Sequence, residues 1–127
     1  MQEITCEWTD KAEGDFVTAV REAQAQPANF DAAAFHAQQA VEKYLKARLV
    51  EEDIDFPKTH DLVIILRLVL PLEPTWGHLQ NDLDALTALG IEVRYPGTCA
   101  DREDAEEAIR TARRVRDLVR PALGLTP

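Results

Sequence analysis

Three sets of side chains in this sequence have types and spacings suited to holding an anion. Arg94 and Tyr95 precede Pro96 and Gly97 and so belong to a loop, the setting in which functional side chains concentrate. Arginine offers a planar fork for phosphate, and tyrosine a ring that stacks on a base. The alternative for this pair is a salt bridge and a tyrosine packed beneath the loop. Lys58 and His60 flank Thr59 at an expected helix start, where free backbone N–H groups and a lysine suit an anion. A histidine there equally suits a hydrogen bond that fixes the preceding loop. His36, Gln39, Lys43 and Lys46 recur at spacings of 3, 4 and 3 and therefore share one helical face. That face is either a row of donors for phosphate or a partner subunit, or an ordinary solvated surface.

Other charged and metal-binding residue types point less sharply. Arg110, Arg113, Arg114, Arg116 and Arg120 crowd the end of the last expected helix, while Asp101, Glu103, Asp104, Glu106 and Glu107 crowd its start. The arginines spread around the helix rather than forming a stripe. Dipole complementation and pairs such as Glu106–Arg110 account for them. The three histidines and two cysteines show no metal-ligand spacing, so neither a metal nor a cofactor is expected. Cys6 and Cys99 read as two reduced thiols.

These residues must be positioned by a small scaffold. At 127 residues the chain is one domain's worth, and 46% hydrophobic with 29% charged residues is ordinary for a globular protein. The longest apolar run, Leu62 to Leu70, is interrupted by Arg67 and falls well short of the roughly 20 residues a membrane helix needs. Met1-Gln2-Glu3 lacks the basic start of a secretory signal, so a cytoplasmic location is expected. The net charge of −9 argues against broad capture of nucleic acid. Neither DNA nor a membrane is an expected partner. Residues 1–90 carry 16 acids and 7 bases, whereas 91–127 carry 7 of each, so any phosphate contact is expected to be local.

Apolar spacing is helical nearly throughout. A first helix is expected from Trp8 to Gln26, capped by Thr5 or Thr9 and ended by Pro27, with Trp8, Ala12, Phe16, Ala19 and Ala23 inward. A second spans Phe30 to about Glu52, with Ala34, Ala37, Val41, Leu45 and Leu49 as one stripe. Residues 53–57 form an extended loop, because Pro57 disfavours helical geometry at Phe56. A third helix starts near Thr59 and buries Leu62, Ile65, Leu66 and Val69, until Pro71 and Pro74 break it. Thr75 caps a fourth with Leu79, Leu83, Leu86 and Leu89 inward, and Gly90 stands where a C-terminal cap belongs. The last helix runs from about Ala100 to Leu123 on a seam of Ala105, Ala108, Ala112, Val115, Val119 and Ala122. An all-α, antiparallel up-and-down bundle of four to five helices is the economical reading.

Three local signatures add a family resemblance. They are residues 35–47, Phe-His-Ala-Gln-Gln-Ala-Val-Glu-Lys-Tyr-Leu-Lys-Ala; residues 57–62, Pro-Lys-Thr-His-Asp-Leu; and Arg94-Tyr95-Pro96. With Trp8 opening the first helix, their order and separation resemble the HEPN domain (higher eukaryotes and prokaryotes nucleotide-binding) across almost the whole chain. The resemblance implies a small helical bundle, a homodimer, and a minimal nucleotidyltransferase as partner in a toxin–antitoxin-like pair. In family members that cut RNA, an arginine is followed, at the start of the final helix, by a histidine, and dimerisation gathers two such pairs in one cleft.

Arg94 matches that arginine, but the histidine's place is taken by Cys99, Ala100 and Asp101, and no histidine follows His78. RNA cleavage by 2′-OH attack benefits from a group that titrates near neutrality, which histidine supplies unperturbed. The expectation is therefore a non-catalytic, nucleotide- or RNA-associated module. Arg94, Tyr95, Lys58 and His60 would make the contacts, and His36, Lys43 and Lys46 would assist. One alternative is a divergent metal-independent ribonuclease using Arg94 with His60 or His36. The other is a purely structural dimerisation module.

Overall fold

Alanine explains the centre of the molecule. In a computed structural model, which describes residues 1–126, the second expected helix forms as α2 (Phe30–Glu51), capped by the Asn29 side chain on the Ala32 amide. Ala33, Ala34, Ala37, Ala40 and Ala47 are all fully buried. Their small side chains let neighbouring backbones approach closely from several directions. Burial is accordingly not confined to the expected stripe but runs almost around the helix, taking in Gln38, Glu42 and Lys46. Every other helix touches α2.

Four further helices surround it: α1 (Glu3–Gln24), α3 (Leu62–Val69), α4 (Gln80–Glu92) and α5 (Arg102–Ala122), with a 3-10 turn at Pro74–Leu79 before α4. The expected starts and ends shift in several places. α1 begins before Trp8, so Thr5 and Thr9 are not caps; both are buried inside it. There Thr5 donates to Glu51 Oε1 at 2.9 Å, and Thr9 back to the Cys6 carbonyl at 2.9 Å. The Gln2 side chain donates to the Val50 and Glu51 carbonyls at 3.2 and 3.0 Å, satisfying acceptors that the end of α2 leaves open. Helix α3 is capped by Asp61 rather than Thr59. Thr75 caps nothing, because the chain first winds through the 3-10 turn. Gly90 lies inside α4 and is buried; a Cβ there would stand 3.2 Å from Gln38 Cγ. Its role is close approach to α2, not termination.

Direction departs from simple alternation. Tyr44 on α2 meets Glu13 on α1, and His36 meets Asp15, so α1 and α2 are antiparallel. Asp31 meets Ala100, while Tyr44 meets Arg120, so α5 runs alongside α2 in the same sense. The cause is the extended segment after α2. Extended chain advances about 3.3 Å per residue against 1.5 Å in a helix, so this segment climbs back along α2 until the His60 carbonyl accepts from Gln38 Nε2 at 3.3 Å. Helix α3 then descends toward Arg48, which reaches Glu73 at 3.2 Å, and α4 ascends. Leu62 N–H donates to Thr87 Oγ1 at 3.1 Å and ties that pair together. The core fills with Phe16, Val41, Tyr44, Leu45, Leu49, Leu62, Ile65, Leu66, Val69, Leu79, Leu83, Val115 and Val119. On α5 the expected seam is buried as far as Val119, but Ala122 is exposed. No helix among the described residues is long and apolar enough to cross a membrane.

Candidate functional site

Two loops reach the same strip of α2. After α4 the chain turns through Arg94 and Tyr95, whose amides donate to the Ile91 and Glu92 carbonyls at 3.3 and 3.2 Å. The Arg94 guanidinium lies over the Phe35 ring, 5.6 Å from its centroid, and has no ion-pair partner among the described residues. Stacking of this kind orients an arginine without neutralising it. Tyr95 is 65% exposed; it is not packed beneath the loop. One turn along α2, Gln38 holds the His60 carbonyl, and Glu42 Oε1 lies 2.8 Å from His60 Nδ1. Positions 35, 38 and 42 share one helical face, so the Arg94 loop and the Lys58–His60 turn sit side by side.

The helix start behind Lys58 and His60 is not a vacant anion site. Asp61 Oδ1 accepts from the Val63 and Ile64 amides at 3.0 and 3.4 Å. Thr59 Oγ1 accepts from the Asp61 amide at 3.1 Å, and Leu62 donates to Thr87. The first donors of α3 are thus satisfied, and a carboxylate stands where a phosphate would be drawn. What remains is the side chains: Lys58 is exposed and unpaired among the described residues. His60 donates through Nδ1 to buried Glu42, which turns Nε2 away from its partner.

The row His36, Gln39, Lys43 and Lys46 does not form a solvated stripe. Asp15 of α1 takes both His36 Nδ1 at 2.9 Å and Lys43 Nζ at 2.5 Å. Gln39 donates to Gln38 Oε1 at 2.9 Å. Lys46 is buried, donates to Glu42 Oε2 at 3.1 Å, and lies over the Trp8 and Phe56 rings at 5.9 and 5.2 Å. Its charge is spent inside the bundle, so Lys46 is not a free phosphate donor. Packing of α1 and the 53–57 loop against α2 converts the row into internal ties.

A network the sequence analysis missed joins α1, α2 and α5. Glu13 accepts from Arg116 Nε at 2.8 Å and from the Tyr44 hydroxyl, and Arg120 lies 3.6 Å away. Burial raises the Glu13 pKa, but the bonds from Arg116 and Tyr44 outweigh it and hold the carboxyl below its ordinary value. Burial, reinforced by Glu13, pushes Tyr44 up to about 12. The one signal in sequence is a tyrosine within an alanine-rich buried face, whose hydroxyl must find a partner.

Where the resemblance puts a histidine, the structure puts a helix cap. Asp101 Oδ1 accepts from the Asp104 amide at 2.8 Å, and Asp104 Oδ2 from the Asp101 amide at 3.0 Å, a reciprocal capping box. Ala100 N–H donates to Asp31 Oδ1 at 2.6 Å, and Cys99 is exposed and free. The expected Glu106–Arg110 pair does not form. Among the described residues no group of three or more His, Cys, Asp and Glu could hold a metal ion.

An alanine-centred bundle of five helices, with a stacked arginine in the loop before the last, defines a recognisable class. The HEPN domain family model matches residues 5–122, and the chain belongs to that family. The crystal structure of TT1696 from Thermus thermophilus superposes with a TM-score of 0.81 at 20% identity, over 93% of this chain and 97% of that one. At that identity it shows the shared fold. No curated protein matches the chain.

Because Glu13 is held below 4.5 in the folded protein, its contribution is complete above that value and is lost as pH falls through the depressed one. Glu13→Gln is expected to flatten the acid limb of stability between neutrality and about pH 3. Thermal melts across that range read it; curves parallel to wild type would refute the assignment.

Proposed function

We propose that this chain is a non-catalytic, nucleotide- or RNA-associated HEPN module. Membership of the HEPN family supports the reading, and one observation carries it. The Arg94 guanidinium lies over Phe35 with no carboxylate partner among the described residues, beside a largely exposed Tyr95, while Lys58 and the outward nitrogen of His60 belong to the turn that meets the same face of α2. A guanidinium so placed binds a phosphate oxygen pair, and the phenol ring stacks on a base. His36 and Lys43 contribute from the adjacent turn only through the Asp15 tie. In a titration with nucleotides and short RNA, Arg94→Ala is expected to bind at least about ten-fold more weakly than wild type. Equal affinity would remove Arg94 from the site.

The module acts as a homodimer and partners a minimal nucleotidyltransferase. Ile91 in the last turn of α4 and Tyr95 in the loop after it are 54% and 65% exposed, apolar surface of the kind that partners cover. Light scattering is expected to give twice the 14.3 kDa chain mass; a monomer contradicts the dimer. A nucleotidyltransferase gene beside this one supports the pairing, and its absence counts against it.

A second reading, a divergent ribonuclease, is favoured by the Asp15–His36 pair. Asp15 fixes the His36 tautomer with Nδ1 protonated, leaving Nε2 as a base. Phe35 carries His36 at 5.3 Å between centroids on one side and Arg94 on another. His36 would accept the 2′-OH proton as the 2′-oxygen bonds to phosphorus, the P–O5′ bond would break with the departing 5′-oxygen taking a proton from water, and Arg94 would stabilise the negative charge on the phosphoryl oxygens. Incubation with RNA decides: cleavage abolished by His36→Ala supports it, and intact RNA with wild type discards it.

A further inference from the structure

Helix α5 is sorted by face as well as by end. On its α4 side, Asp82, Glu92, Asp104 and Glu107 rim an apolar groove floored by Leu86, Leu89 and Ala108. On its α1 side, Arg102, Arg110 and Arg113 rim a second groove of about 390 Å³, floored by Val20, Ala23, Phe30 and Ile109. The arginines therefore do not spread evenly. Arg114 turns to Asp82 and Arg116 to Glu13, while 102, 110 and 113 gather on one side.

This second groove is cationic within a chain of net charge −9. Glu106 also lines it, yet none of its three arginines forms an ion pair among the described residues. Two are fixed by stacking: Arg102 lies 5.2 Å from the Phe30 centroid and Arg113 5.4 Å from that of Phe16. Stacked guanidinia lose less freedom on binding and keep their charge. Arg116 also lies over the Phe16 ring but is paired with Glu13, as a structural arginine should be, whereas these three meet no carboxylate among the described residues. From 102 to 113 the row spans about 16 Å of helix at 1.5 Å per residue, too long for one phosphate. Phe30 and Phe35 point to different sides of α2, five residues apart, so this surface is separate from the Arg94 loop.

We propose that the α1/α5 groove binds a ligand carrying several linked phosphates, through Arg102, Arg110 and Arg113. Both a nucleoside triphosphate and the backbone of a single-stranded oligonucleotide present that chemistry. An acidic peptide also offers negative charge, but its carboxylates carry one charge each at side-chain spacing, whereas linked phosphates present closely spaced charged oxygen pairs to the three arginines that flank Glu106.

The test is a titration of the full chain at low salt with sodium tripolyphosphate, ATP and a fluorescein-labelled decauridylate. Arg110→Glu/Arg113→Glu is compared with Lys11→Glu/Arg67→Glu, which makes the same charge change at two exposed residues outside the groove. The groove variant is expected to lose about ten-fold or more in affinity, and the control much less. Arg110→Glu alone, which disturbs no stacking, is expected to show part of the loss even if the double variant folds poorly. Tightest binding of decauridylate identifies the backbone as ligand, and tightest binding of ATP or tripolyphosphate the free polyphosphate. Equal losses in groove variant and control, or no binding of any probe, would overturn the proposal. Arg94→Ala in the same titration separates the two sites. A loss confined to it sinks the groove and spares the Arg94 reading; a loss confined to the groove variants does the reverse.

Discussion

Burial of α2 on nearly every side is the constraint to which the rest of the fold responds. Five fully buried alanines let neighbours close in on α2 from several sides, but the helix also carries Gln38, Glu42, Tyr44 and Lys46 into the interior. Each polar atom taken from water without a partner would cost on the order of a few kcal/mol. The surrounding segments supply the partners: Glu13 for Tyr44, Glu42 for Lys46, and the His60 loop for both Gln38 and Glu42. No buried side-chain nitrogen or oxygen among the described residues is left without one.

That requirement sorts the charged residues into two kinds. Cations near α2 are consumed by carboxylates: Lys43 by Asp15, Lys46 by Glu42, Arg116 by Glu13. Three arginines at the rim meet a ring and no carboxylate among the described residues: Arg94 on Phe35, Arg102 on Phe30, Arg113 on Phe16. Ring contacts hold a guanidinium in place without cancelling its charge. The difference separates arginines that hold the bundle together from arginines available to a ligand, and it explains how an acidic protein keeps local cationic surfaces.

The same logic shapes the end of the molecule that carries the candidate site. The extended segment before α3 delivers His60 to the level of Gln38, and α4 returns the chain so that Arg94 lands one turn away, on Phe35. Gly90 is what lets α4 come that close, since any larger residue meets Gln38. Two loops distant in sequence thereby become neighbours because both must answer the polar face of one helix.

Helices, their inward leucines, the loop at 53–57 and the loop that carries Arg94 and Tyr95 were legible in the residues, because periodicity and proline act locally, although α4 runs on to Glu92, past the expected stop at Gly90. The family was legible too, from three short signatures in register. Which cations stay free was not. Lys46 and Arg94 look alike as exposed-type residues in a string, yet one is walled in by Trp8, Phe56 and Glu42 while the other lies on an open ring. Asp61 displaced Thr59 as a cap, and α5 divided its arginines between Glu13, Asp82 and an open groove. Such outcomes depend on which helix packs against which face, a choice made by non-local contacts that spacing along one chain does not encode.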